Sequence, residues 1–174
     1  PRESSIEAVR QLHAMGLRTV MLSGDNQRTA EAIAKAVGID DARGELLPED
    51  KVAAVKQLNE QWGYVGMVGD GVNDAPALAQ ASIGFAMGAA GTDTALEVAD
   101  VALMRDDLRG VPAFFALSRR AARVLRQNIA VALGIKAVFF ILAVVGVATL
   151  WMAVVADMGA SLLVVGNGLR LLRH

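Results

Sequence analysis

From Asn128 to Leu169 the sequence is predominantly apolar and holds only two ionisable side chains, Lys136 and Asp157. No other feature restricts the fold as strongly. Water-soluble helical cores seldom run this long without polar residues. The stretch is about twice the ~20 residues that one membrane-spanning helix requires. Arg119, Arg120, Arg123 and Arg126 stand immediately before it, and Arg170, Arg173 and His174 close it. Basic residues collect on the cytoplasmic side of a membrane, so clusters at both ends place both ends there. A helical hairpin satisfies length and charge together. Its expected spans are about 128–148 and 152–170, with the bend near Thr149-Leu150-Trp151 and Trp151 at the far interface.

The remainder reads differently. The 174-residue chain is 54% apolar, but residues 1–127 have the pattern of a soluble α/β protein. With 17 basic and 18 acidic side chains, bulk charge gives no footprint for a nucleic-acid partner. Absence of cysteine excludes disulfides and thiolate metal sites within this stretch and fits a cytosolic domain. The first residue, Pro1, lies inside a helical pattern without methionine or signal peptide, so the sequence reads as a piece of a longer protein. Helix is expected from Glu3 to Met15, strand from Leu17 to Leu22, and helix from Asn26 to Val37, stopped by Gly38. A short extended piece, Arg43 to Leu46, precedes a helix from Pro48 to about Gln61. Strands at Tyr64–Val68, Ser82–Ala86 and Val101–Met104, and a short helix near Thr92–Val98, complete this part. Strands alternating with helices imply a parallel sheet covered on both faces.

Chemistry concentrates in Met67-Val68-Gly69-Asp70-Gly71-Val72-Asn73-Asp74-Ala75-Pro76. Gly69 and Gly71 allow a sharp turn and close approach of a ligand to Asp70. Asn73 and Asp74 are suited to cap the helix that Ala75-Pro76 begins. Open α/β sheets bind ligands at the carboxyl ends of their strands, where this loop falls. Asp70 and Asp74 are suited to share magnesium, a hard cation that takes a few carboxylate oxygens and leaves its other positions to water and phosphate. A plain Gly-Asp turn with an ordinary cap is the alternative. Ser23-Gly24-Asp25-Asn26 also links a strand to a helix, where a hydroxyl and backbone N–H groups can hold phosphate or simply form a turn. Lys51 falls in the first turn of the helix behind Pro48, an electrostatically poor place for a cation unless an anion is near. A hydroxyl, a lysine and a magnesium carboxylate pair around one pocket make a phosphoryl-transfer site.

In this order and spacing the residues resemble the haloacid-dehalogenase-like phosphorylation domain of P-type ATPases, and the resemblance covers essentially the whole sequence. It rests on Ser23-Gly24-Asp25-Asn26 with Thr29-Ala30, Pro48 with Lys51, and Met67 to Pro76, followed by a paired membrane segment. Ser23 stands where the family more often has threonine, retaining the hydroxyl. The Asp-Lys-Thr-Gly-Thr motif bearing the phosphorylated aspartate is absent from this sequence, as are the nucleotide-binding domain, the actuator domain and the earlier membrane helices.

The resemblance implies a partial haloacid-dehalogenase-like (Rossmann-type) α/β domain over 1–110, a basic linker helix over 111–127 and a transmembrane hairpin over 128–172. It further implies that Ser23 binds phosphoryl oxygens with Gly24 and Asp25 shaping the pocket. Lys51 would offset the charge of the aspartyl phosphate. Asp70 and Asp74 would position magnesium, with Asn73 shaping that site. ATP would be bound mainly by the nucleotide domain, so that this stretch alone is inactive.

Lys136 and Asp157 have opposite sign and fall one on each helix of the hairpin. Ionisable residues within spans are costly and usually functional, a structural pair that fixes packing being the alternative. Asp157-Met158-Gly159 with Lys136 resembles the zinc/cadmium/lead-exporting heavy-metal (type IB) pumps. Copper pumps would show Asn/Tyr-rich and Met/Ser-rich segments here. That class implies Asp157 as a ligand of the transported ion and Lys136 as its counter-ion. The implied surroundings are plasma (inner) membrane lipid and the rest of the pump. A membrane-anchored haloacid-dehalogenase-like phosphatase and a non-enzymatic membrane interaction segment are the competing readings.

Overall fold

The structure, a computed structural model, describes residues 1–69, 72–87 and 97–171. The chain divides into two compact units, Pro1–Phe114 and Phe115–His174.

In the first unit, α1 (Glu3–Ala14) buries Ala8 and Val9, and α2 (Gln27–Val37) buries Ala30, Ala34 and Val37 at helical spacing. The Asn26 side chain caps α2 by accepting from Thr29 N at 2.9 Å. Gly38 ends the helix in the left-handed conformation at φ +88. α3 (Pro48–Trp62) begins at the proline, and its Asp50 carboxylate accepts from Leu47 N at 3.0 Å. Strands β1 (Val20–Leu22), β2 (Asp41–Arg43), β3 (Gly66–Gly69), β4 (Ile83–Met87) and β5 (Val101–Leu103) alternate with these helices. A 3-10 turn (Val72–Asp74) leads directly into the short α4 (Ala75–Gln80). Residues 88–96, including most of the short helix expected near Thr92–Val98, lie outside the described residues.

All described pairings are parallel, as alternation of strand and helix requires. They form two sheets, where the sequence suggests one. β1 pairs with β2, placing Leu22 opposite Arg43, and β3–β4–β5 form the second, with Met67 opposite Gly84 and Phe85 opposite Val101. β1 and β3 therefore each keep one edge without a strand partner among the described residues. Val55, Met67, Ala77, Leu78 and Ala86 make the core, with Leu22, Val52 and Val65 packed around it. Full burial of Leu78 and Phe85 contributes about 1.5–3 kcal/mol each. Phe85 also meets Phe114 edge-on, ring centroids 5.3 Å apart. This core fixes the ends of β1 and β3, from which the candidate site projects.

The second unit contains most of α5 (Gly110–Val144) and all of α6 (Leu150–Leu169). At 1.5 Å per residue the 20-residue α6 is about 30 Å long, the thickness of a bilayer hydrocarbon core. Both helices are long and apolar enough to cross a membrane. Val144, Leu150, Trp151 and Leu162 are exposed on their surfaces. The bend occupies 145–149, slightly earlier than the sequence suggests. Gly146, at φ +78, ends α5 as only glycine does without strain, and Thr149 Oγ1 caps α6 by accepting from Met152 N at 3.3 Å. Trp151 thus falls in the first turn of α6.

Candidate phosphate and metal site

The loop after β1 is stitched to the loop after β2. Ser23 N donates to Arg43 O at 2.9 Å, and Leu46 N donates to Ser23 O at 3.0 Å. Ser23 Oγ accepts from Asp25 N at 3.1 Å and donates to Asp25 Oδ2 at 3.2 Å, so hydroxyl and carboxylate sit together at the end of β1. Gln27 fastens the far side: its Oε1 accepts from Gly44 N at 2.6 Å, and its Nε2 donates to Ala42 O at 3.0 Å. A Cβ on Gly44 would stand 2.6 Å from Gln27 Cα, so a side chain there would force the loops apart. Gly24, Asp25 and Asn26 remain exposed, open to a ligand. No compositional signal distinguishes Gln27 from an ordinary first-turn residue, so sequence reasoning misses its role.

The second half of the site is an ion pair. Lys51 Nζ donates to Asp74 Oδ1 at 2.7 Å, with the two side chains only 17% and 15% exposed. The pair answers the electrostatic objection to a lysine at a helix N-terminus, because the carboxylate supplies the missing anion. Asp74 closes the 3-10 turn at the N-terminus of α4, yet its side chain makes no capping hydrogen bond. The sequence suggested that Asn73 and Asp74 cap that helix. Instead, a charge-assisted bond to Lys51 takes the Asp74 carboxylate, and Asn73 is exposed. Gly69 makes the position of Asp74 possible: a Cβ there would lie 2.8 Å from Asp74 Cβ and 3.1 Å from Oδ2. Asp70 and Gly71 lie outside the described residues. They join the end of β3 to the 3-10 turn.

The donor set fits a hard cation. Asp74 keeps Oδ2 beside Gly69 after giving Oδ1 to Lys51, an oxygen of the kind such a cation takes, and the sequence has Asp70 four positions earlier. Among the described residues no three His, Asp or Glu side chains cluster. In the hairpin, Lys136 and Asp157 are both exposed, and none of the ion pairs among the described residues joins them. Arg173 and His174 lie outside the described residues.

β1 leads into Ser23 and β3 ends at Gly69, so these residues sit at the carboxyl ends of parallel strands, where open α/β folds bind ligands. The haloacid dehalogenase-like hydrolase family matches residues 1–82. The chain is 54% identical, over 99% of its length, to a probable cadmium-transporting ATPase of Alkalihalophilus pseudofirmus, of which it covers 24%. It is 50% identical over the same share to the zinc/cadmium/lead-transporting P-type ATPase of Escherichia coli, covering 23% of that protein. A crystal structure of a zinc-transporting PIB-type ATPase in the E2.Pi state superposes with a TM-score of 0.93 at 48% identity, over 99% of this chain and 28% of that one. The chain is homologous to the C-terminal region of these heavy-metal P-type ATPases and spans about a quarter of their length. The match runs through the hairpin as well as the α/β unit, which disfavours the phosphatase and interaction-segment alternatives.

Proposed function

We propose that this chain is the C-terminal part of an ATP-driven exporter of zinc, cadmium or lead that works through an aspartyl-phosphate intermediate. The Lys51–Asp74 bond beside Gly69 carries the reading, because it gathers a cation and a carboxylate where a phosphoryl group would sit. The ammonium has three donors and Asp74 uses one, so Lys51 can add a phosphoryl oxygen without releasing its partner. Ser23 contributes a hydroxyl donor, while Gly24, Asp25 and Asn73 shape the rim. Asp70 and Asp74 would hold magnesium, which when bound neutralises phosphoryl charge. The nucleophilic aspartate and most ATP contacts come from the rest of the pump. The edges of β1 and β3 that lack a strand partner among the described residues favour a further parallel strand, which would deliver that aspartate near Ser23.

The proposed working divisions are the phosphorylation-domain portion (1–110), the linker helix (111–127) and the hairpin (128–172). The hairpin lies in the plasma membrane with both ends cytoplasmic, on the strength of its flanking arginines. Asp157 ligates the transported ion, and Lys136 offsets its charge when the site is empty. Lipid, the actuator and nucleotide domains and the earlier membrane helices complete the assembly. ATP hydrolysis by the purified complete pump, titrated with zinc, cadmium, lead, copper(I) and calcium, tests this reading. Stimulation by the first three is expected. Stimulation by copper(I) or calcium alone would overturn it.

A further inference from the structure

We infer that Asn128 and Asn167 form a clasp that fixes the register of α5 against α6 and thereby sets the relative depth of Lys136 and Asp157. Asn167 Nδ2 donates to Asn128 Oδ1 at 2.8 Å, and Asn128 Nδ2 donates to Val164 O at 3.4 Å. Arg170 donates to Asn167 Oδ1 at 3.2 Å, and Arg120 donates to Arg170 O at 2.9 Å. Both asparagines are half-buried, and polar contacts between α5 and α6 gather at this end of the hairpin.

Toward the bend both helices are mostly apolar, and Ala160 of α6 is buried. In lipid such surface sets register poorly, because sliding one apolar helix past another exchanges like for like. A paired amide sets it better, since a slip breaks directional hydrogen bonds that apolar contacts lack. Lys136 lies eight residues toward the bend from Asn128, and Asp157 ten residues toward it from Asn167. On antiparallel helices these offsets are about 12 and about 15 Å, so the clasp holds the two ionisable residues within about 3 Å of one depth. A slip of one helical turn, about 5.4 Å, would remove that match. Asn128 and Asn167 are therefore positioning residues for Asp157. This role rests on the exporter reading above.

The test is a double-mutant cycle in the complete pump in detergent, with Asn128→Ala, Asn167→Ala and the double variant. It reads the zinc concentration for half-maximal ATPase stimulation beside phosphorylation from inorganic phosphate. Each single substitution is expected to raise half-saturating zinc by about 3- to 20-fold, the range of interhelical hydrogen bonds in membranes, with phosphorylation from phosphate preserved. The double variant should fall short of the product of the two singles, because both lose the bond they share. If alanine prevents insertion, the same cycle is run with Asn128→Ser and Asn167→Ser, whose short side chains cannot span the pair. Unchanged half-saturation in both singles, or losses that multiply in the double variant, would overturn the clasp. Failure of zinc to stimulate the unmodified pump would instead remove the exporter reading.

Discussion

Gly69→Ala places one methyl group where the site has no room for it. The added Cβ would lie 2.8 Å from Asp74 Cβ and 3.1 Å from Asp74 Oδ2. Ordinary carbon contacts are about 3.5–4.0 Å, so the two groups must separate by roughly 0.7–1.2 Å. Asp74 Cβ is attached directly to the backbone of the 3-10 turn, so a rotamer change cannot relieve the clash and the turn itself must move. Overpacking of this kind costs about 1–3 kcal/mol. The chemical cost is larger, because the 2.7 Å bond from Lys51 is stretched and the carboxylate leaves its place. A misplacement of about 1 Å in a catalytic constellation lowers rates on the order of 10²-fold. The assay is the rate of phosphoenzyme formation from ATP in the complete pump, with thermal unfolding measured in parallel. Gly63→Ala is the control: its Cβ meets nothing within 4 Å, and its left-handed φ of +83 brings only a strain of about 1–3 kcal/mol. Folded Gly69→Ala protein that phosphorylates at the unmodified rate would refute the assignment of Asp74 to the site.

Lys51→Met keeps most of the side-chain volume but strands a mostly buried carboxylate. It should destabilise the chain by about 1–3 kcal/mol in thermal unfolding and lower phosphorylation on the order of 10²-fold or more. Asp40 supplies a pH-dependent prediction away from the site. Thr19 N, donating at 2.8 Å, holds the Asp40 carboxyl below its ordinary 3.8 despite partial desolvation, with the Thr19 hydroxyl and His13 assisting. A depressed value in the folded state means that this stabilisation is present above the unfolded value and lost as pH falls through the folded one. Asp40→Asn should therefore lower the unfolding midpoint at pH 7, and the difference should narrow as pH drops below 3.8.

What the sequence made legible was local. Asn26, Gly38 and Pro48 announce helix ends because capping and φ constraints act within a few residues, and the structure uses all three. Lys51 and Asp74 were grouped by chemistry. Their direct bond spans 23 positions and needs Gly69 to bring the turn close, so spacing alone did not reveal it. Gly146 rather than the tryptophan sets the bend, a choice that depends on which residue accepts a positive φ. Asn128 and Asn167 did leave a trace, as isolated amides near the two ends of an apolar stretch. Their pairing becomes visible only when the helices fold back on each other. The separation of the strands into two parallel sheets depends on tertiary pairing and has no counterpart in the residue pattern.

Asp157 offers the most direct measurement. A carboxylate in α6 can ligate a borderline divalent ion, and its charge offsets a dication where a neutral side chain would not. Zinc bound to the complete pump in detergent is counted for the unmodified protein and for Asp157→Ala, with phosphorylation from inorganic phosphate confirming that the α/β unit remains intact. The account predicts that the variant loses zinc binding while phosphorylation from phosphate persists. Zinc bound by Asp157→Ala in the same amount and with the same affinity as by the unmodified pump would contradict it.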